Sequence, residues 1–317
     1  MFGDMVRLRR FEEQAGRAYQ RRKIRGFCHL YIGQEAVAVG TMSALGEADS
    51  IVTHYREHGH ALARGLSSNG VMAELFGKVD GYARGKGGSM HIFDASRNFY
   101  GGWGIVGGQI ALGAGVAFAN KYRGEKSVCV CFLGEGAIHQ GIVHESLNMA
   151  AKWRLPLITI IENNRYAMGT SIERISAVTD LTKKAVGYDM FAESVDGQDV
   201  FSVHAAVKAA ADRANNEGRP SFLEMRTYRY RGHSMTDPSD YRSKEEVEQE
   251  QDLRDPIVRL RNWIVANKLK SQDELNAIDD AMDRETKDAV EFADKSEFID
   301  PSELTTDVYV EWPFDIE

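Results

Sequence analysis

Two short groups of residues carry the strongest chemical signal in this 317-residue chain. The first is Gly134-Glu135-Gly136; the second, after a gap of 26 residues, is Asn163-Asn164. Each follows a short apolar run, Ser127 to Leu133 before the first and Pro156 to Ile161 before the second. Continuous runs of that length read as strands buried on both faces. Between them, Ala137 to Lys152 is long enough for a crossover helix, with apolar residues at Ile142, Leu147, Met149 and Ala150. Strand, helix and strand form a βαβ unit, which sets the ends of its two strands side by side. One carboxylate and one side-chain amide then meet at neighbouring strand tips. Oxygen donors in that position suit a hard divalent cation holding a diphosphate. Taken alone, Glu135 also reads as an acid capping a helix N-terminus.

The elements that must position these groups follow the same alternation. Ser50 to Thr53 and Ser221 to Tyr228 read as further strands. A helix is expected from Gln34 to about Leu45, and another from about Val200 to Asn216 before the break at Gly218 and Pro220. The fold class expected is α/β, a mainly parallel sheet flanked by helices. Beyond it the character changes. Ser243 stands three residues before Glu246, and Ser271 three before Glu274, the capping-box pattern of a helix start. Helices are expected from there towards Asp255, from Pro256 to about Asn267, and from Gln272 to about Lys295. The organisation predicted is an α/β domain over 1–242 and a helical C-terminal extension over 243–317. Arg7, Arg9 and Arg10, mixed with Leu8, Phe11, Glu12 and Glu13, read as an amphipathic helix rather than a targeting segment.

Composition narrows the function classes. A net charge of −8 argues against broad nucleic-acid binding. No apolar run reaches the ~18 residues that a membrane span needs. The three cysteines, Cys28, Cys129 and Cys131, form no C-x-x-C pair, which argues for a reducing compartment and against a structural zinc site. The cytoplasm is the expected location, or the mitochondrial matrix if a transit peptide precedes this sequence. The G-x-G-x-x-G at Gly102 to Gly107 follows no segment that reads as a strand, so a dinucleotide site is not expected. Gly107, Ala111, Gly115 and Ala119 place a small residue at every fourth position of a helix. Such a stripe admits close helix packing, either inside this subunit or at a subunit interface.

The pattern GEG-x26-NN is similar to the thiamin diphosphate-binding motif. Four other segments strengthen the likeness: Phe27 to Ala36, Gly85 to His91, Asn98 to Gly102 and Tyr228 to Met235. In this order they resemble the alpha subunits of the pyruvate dehydrogenase E1 component, within the thiamin diphosphate-dependent 2-oxo acid dehydrogenase family. The likeness extends from about Met5 to about Tyr309. It implies an enzyme that decarboxylates pyruvate on thiamin diphosphate and reductively acetylates the lipoyl group of E2. Acetoin and branched-chain 2-oxo acid dehydrogenase alpha subunits are the alternatives.

Site roles follow from the resemblance residue by residue. Glu135 and Asn164 would bind Mg²⁺ through their side chains and Tyr166 through its carbonyl. Gly136 and Ala137 would approach the phosphate through backbone N–H groups, with Gly104 and Val106 along the aminopyrimidine. Tyr55, Arg56 and His233 would also bind the cofactor, and His29 and His233 are the catalytic histidines expected. Ser234 is a possible regulatory position, with Arg229, Arg231 and Arg242 nearby to attract a phosphate. Glu135 departs from the usual Asp by one methylene, as in the branched-chain enzymes. The partners implied are an E1 beta subunit in an α2β2 heterotetramer, against which the C-terminal extension would also pack, and the E2 lipoyl acyltransferase. The glutamate facing the aminopyrimidine would come from the beta chain, because none is assignable here.

Overall fold

Where the apolar runs are longest, the chain forms the middle of a sheet. In a computed structural model, which describes residues 1–307, six strands pair in parallel. Residues 308–317 of the expected extension lie outside the described part. The strands are β1 (Ser50–His54), β2 (Phe99–Trp103), β3 (Cys129–Gly134), β4 (Leu157–Asn163), β5 (Phe191–Asp196) and β6 (Ser221–Arg226). Their order across the sheet is β2-β1-β3-β4-β6-β5. The four central strands are those expected from the sequence, β3 and β4 as apolar runs and β1 and β6 as further strands. The edges were not: β2 is Phe-Tyr-Gly-Gly-Trp, and β5 is largely exposed and carries Glu193 and Ser194. Strand β6 ends at Arg226, short of the expected Tyr228.

Alternation along each strand builds two cores, one per face. On β3, Val130 and Phe132 enter one cluster, while Cys129, Cys131 and Leu133 enter the other. The first face is covered by helices α1 (Phe2–Gln20), α2 (Glu35–Ser43) and α5 (Val200–Glu217); the second by α3 (Gln109–Arg123) and α4 (Gly141–Lys152). Helix α4 starts later than the sequence suggests, because Ala137–His139 forms a separate single turn. Its buried face is Val143, Ser146, Leu147 and Ala150, and Met149 is exposed.

Helices α6 (Lys244–Arg254), α7 (Pro256–Ala266) and α8 (Gln272–Lys295) follow. Ser271 and Glu274 make the complete capping box at α8. At α6 the box is only half formed. Ser243 accepts from the Glu246 backbone N–H, but the Glu246 carboxylate accepts from the hydroxyls of Tyr166 (3.0 Å) and Tyr228 (2.8 Å) instead. Tertiary donors have displaced the local one, and α6 is tied to the tips of β4 and β6. Leu275, Ala289 and Ala293 of α8 share the core cluster of Phe2, Met5 and Leu8 in α1. Among the described residues no helix is long and apolar enough to cross a membrane.

Only part of the expected small-residue stripe falls on the outer side of α3: Gly107 is buried ahead of the helix, against Gln140, and Ala119 is half-buried. That helix buries Ile110, Gly113, Ala114 and Ala117, whereas Ala111 and Gly115 are exposed. A Cβ built on Gly115 meets nothing within 4 Å. Leu112, Phe118 and Tyr122 on the same helix are exposed too, so Ala111 and Gly115 belong to a face not covered by the described residues.

Candidate active site

Parallel strands leave their C-terminal ends on one edge of the sheet, and there a cavity of about 840 Å³ opens. It sits where the connections diverge: β2 lies to one side of β1, and β3 and β4 to the other. Such a switch point is where open α/β sheets bind ligands. All twelve residues singled out from the sequence line this cavity. Tyr55 and Arg56 follow β1, and Gly104 and Val106 follow β2. Glu135, Gly136 and Ala137 follow β3, while Asn164 and Tyr166 follow β4. His233 and Ser234 lie beyond β6, and His29 lies ahead of α2.

Three oxygens converge near the β3 and β4 tips. Register places Gly134 opposite Glu162, so Glu135 and Asn164 leave adjacent strands close together. Glu135 is buried, and its Oε2 accepts from the Asn164 backbone N–H at 3.3 Å. Burial pushes its pKa up, against the pull of Arg229 and that N–H group. The side-chain oxygen of Asn164 and the carbonyl of Tyr166 both accept from one nitrogen, Arg229 Nη1, at 3.3 Å each. A positive group thus already bridges two of the three oxygens. Gly136 is required here, since a Cβ would lie 2.6 Å from the Ala167 Cβ.

The cations beside them have no carboxylate partner among the described residues. Arg56 is buried and donates to the carbonyls of Leu30 (2.8 Å) and His233 (2.7 Å). Burial, then repulsion from Arg229, pushes its pKa down to about 10, so it remains charged at neutral pH. Arg229 is buried likewise and donates only to carbonyls, the Asn164 amide oxygen and the Tyr241 hydroxyl. Two buried guanidinium groups without counter-ions create a site for an anion.

His29, Tyr55 and His233 group at the other end. The ring of His29 is 4.6 Å from that of Tyr55 and 5.2 Å from that of His233. Burial, with Arg56 next in effect, lowers the pKa of His29 to about 2 and that of His233 to about 3. Both imidazoles are neutral near pH 7, and the Nδ1 of each is buried without a hydrogen-bond partner. Ser234 bonds to Thr236. Arg242 donates to the carbonyls of residues 229 and 231, and Arg229 is turned to the cavity, so neither arginine is directed at Ser234.

Several lining residues escaped the sequence reading. His54 accepts the Arg56 backbone N–H on Nδ1 (3.1 Å) and meets Glu162 through Nε2 (2.6 Å). Glu162 also takes the Tyr31 hydroxyl and His60. Burial opposes its charge, but His60 and His54 outweigh it and hold the pKa below the usual carboxylate range. The signal available was adjacency: His54 precedes Tyr55-Arg56 and Glu162 precedes Asn163-Asn164, while Arg229 was read only as a neighbour of Ser234.

Fold and cavity define an α/β protein built to hold an anion and a cation at parallel strand tips. Comparison with known proteins gives the family. The profile described as "Dehydrogenase E1 component" matches residues 3–302. The chain is 50% identical over 307 residues to the pyruvate dehydrogenase E1 component subunit alpha of Rhizobium meliloti, covering 97% of this chain and 88% of that one. Identity is 48% to the same-named protein of Zymomonas mobilis, with 96% and 86% covered. It is 44% to the probable mitochondrial counterpart of Caenorhabditis elegans, with 98% and 78% covered. The chain belongs to the dehydrogenase E1 component family, whose enzymes are oxidoreductases dependent on thiamin diphosphate and a divalent metal.

The residues present fit that pair. No cluster of three His, Cys, Asp or Glu side chains suited to a metal occurs among the described residues. The oxygens gathered here are one carboxylate, one amide and one carbonyl, a hard-donor set that leaves positions for diphosphate and water on Mg²⁺. The uncompensated charge of Arg56 and Arg229 complements the diphosphate.

Proposed function

We propose that this chain is the alpha subunit of a pyruvate dehydrogenase E1, decarboxylating pyruvate and passing the two-carbon unit to the lipoyl group of an E2 acyltransferase. The observation that carries this reading is the conjunction of Glu135, Asn164 and the Tyr166 carbonyl with two counter-ion-free arginines, in a chain half identical to enzymes of that name. Thiamin diphosphate, when bound, supplies the electron sink for loss of CO₂ from a 2-oxo acid. The chain's own residues do the rest. Glu135, Asn164 and Tyr166 hold the metal. Arg56 and the backbone N–H groups of Gly136 and Ala137 hold the phosphates. Gly104 and Val106 support the ring system. His29 and His233, neutral with an unpartnered Nδ1 each, can accept a proton at the substrate without first having to lose one, and return it afterwards.

One flank of the cavity is open. Ile105 is 78% exposed and Val106 44%, and they lead into the exposed apolar face of α3. A beta subunit covering this flank supplies the acid facing the aminopyrimidine, and two such pairs make the α2β2 assembly. A phosphate on Ser234 would stand in the cavity wall itself and block substrate. We place the enzyme in the cytoplasm, in keeping with three buried, unpaired cysteines. The test is co-expression with a beta chain, calorimetric titration of thiamin diphosphate with and without Mg²⁺, and assay of 2-oxo acids of increasing length. Metal-dependent binding and preference for pyruvate are expected. Absence of binding, or preference for a branched acid, would overturn the assignment.

A further inference from the structure

Gln34 precedes the first turn of α2, fully buried, and lines the same cavity, yet no role above uses it. The orientation of its amide follows from its neighbours. The Asn164 side-chain oxygen accepts from two groups that only donate, the Tyr166 backbone N–H and Arg229 Nη1. Asn164 must therefore turn its NH₂ the other way, towards Gln34, and the contact there is 3.1 Å. Gln34 must meet it with oxygen. Its own NH₂ is left over, buried, with no hydrogen-bond partner among the described residues. Buried amide donors are seldom left so, and one at a cavity wall marks a group waiting for an acceptor.

We propose that Gln34 is a residue of the cofactor site with two tasks. Its oxygen locks the Asn164 amide so that the Asn164 oxygen is presented to the metal, and its NH₂ donates to an anionic oxygen of the bound diphosphate. The first is the outer-shell support that metal ligands commonly have. The second adds a donor where the diphosphate meets the sheet. This inference rests on the cavity being the thiamin diphosphate site.

Two near-isosteric variants of the assembled enzyme separate the tasks. Gln34→Glu keeps an oxygen for Asn164 but replaces the donor with a negative charge; Gln34→Met removes both. The probe is thiamin diphosphate with Mg²⁺, followed by calorimetry, with the cofactor-free melting temperature as control. Wild type must bind first; if it does not, the family reading of the cavity fails rather than the role of Gln34. Given that binding, both variants should weaken the cofactor by about tenfold or more, the scale of one lost charge-assisted hydrogen bond. The cofactor-free melting temperature should stay near that of wild type, which a purely architectural glutamine would not allow. Wild-type affinity in Gln34→Glu would overturn the donor role, and wild-type affinity in both would overturn the proposal. Equal loss of affinity and of cofactor-free stability would reduce Gln34 to a packing residue and overturn it as well.

Discussion

Arg9 and Arg56 are both largely buried arginines, and their surroundings differ in kind. Arg9 meets Glu35 (Nη2 to Oε2, 3.0 Å) and Asp255 (3.0 Å), joining α1 to α2 and α7. Burial works against its charge, but Glu35 and then Asp255 more than offset this and raise the pKa. Arg56 meets only carbonyl oxygens, and its pKa falls. A buried charge with its counter-ion holds the fold; one without it is held by the fold for a ligand. Hydrogen-bond partners differ in a similar way between buried His58, whose ring meets Glu12 and Ser89, and His29 and His233, whose Nδ1 atoms have none among the described residues.

Exchanging the two arginines for methionine gives the largest effects. Arg9→Met strands Glu35 and Asp255 and should cost about 3 kcal/mol of unfolding free energy, as broken buried pairs do. Arg56→Met should leave stability equal or higher in chemical denaturation while weakening thiamin diphosphate about a hundredfold, on the scale of a lost buried charge partner. Equal stability losses in both would erase the distinction. Gly115→Leu comes next. It places a branched side chain on the exposed stripe of α3 and should shift the assembled enzyme towards free subunits, by about 2 kcal/mol of association energy. Light scattering that shows an intact, unchanged assembly would remove that face from the interface.

Glu135→Asp shortens by a methylene the carboxylate proposed to hold the metal, in a site already shaped by Gly136 and Asn164. Mg²⁺ affinity should fall about tenfold, within the range for a disturbed ligand shell; unchanged affinity would show a permissive site. The smallest effect is on pH dependence. The folded pKa of His29, about 2, lies below its unfolded value, so between roughly pH 6.5 and 2 the unfolded chain binds the extra proton. Stability from this group is therefore complete above about pH 6.5 and is lost as pH falls. His29→Gln should make that fall shallower by up to about 1.4 kcal/mol per pH unit. An identical slope would mean that the histidine is charged in the fold.

The two innermost strands were legible because a strand buried on both faces is nearly all apolar, as Cys129 to Leu133 is throughout and Leu157 to Ile161 is but for Thr159. The edges β2 and β5 were not, because an edge strand needs no such run. The helix ending at Lys295 and its start at Gln272 were readable from local capping, yet the same pattern at Ser243 misled by half, since Tyr166 and Tyr228 took the Glu246 carboxylate. In the site, Glu135 and Asn164 were legible through spacing and the strand signals beside them. Gln34, His54 and Glu162 were not, because their partners lie 130, 108 and 131 residues away.

From the chain alone came what depends on nearest neighbours: the βαβ alternation, the ligand types at its turns, and the family whose motifs they resemble. What only the tertiary structure decided is which charges are paired. A guanidinium or carboxylate carries the same label in any sequence, but its energy depends on the dielectric and the counter-charges within a few ångströms. Those are assembled by contacts between distant segments, and so Arg9 gained its counter-ions and Arg56 was left with carbonyl oxygens only when the sheet was in place.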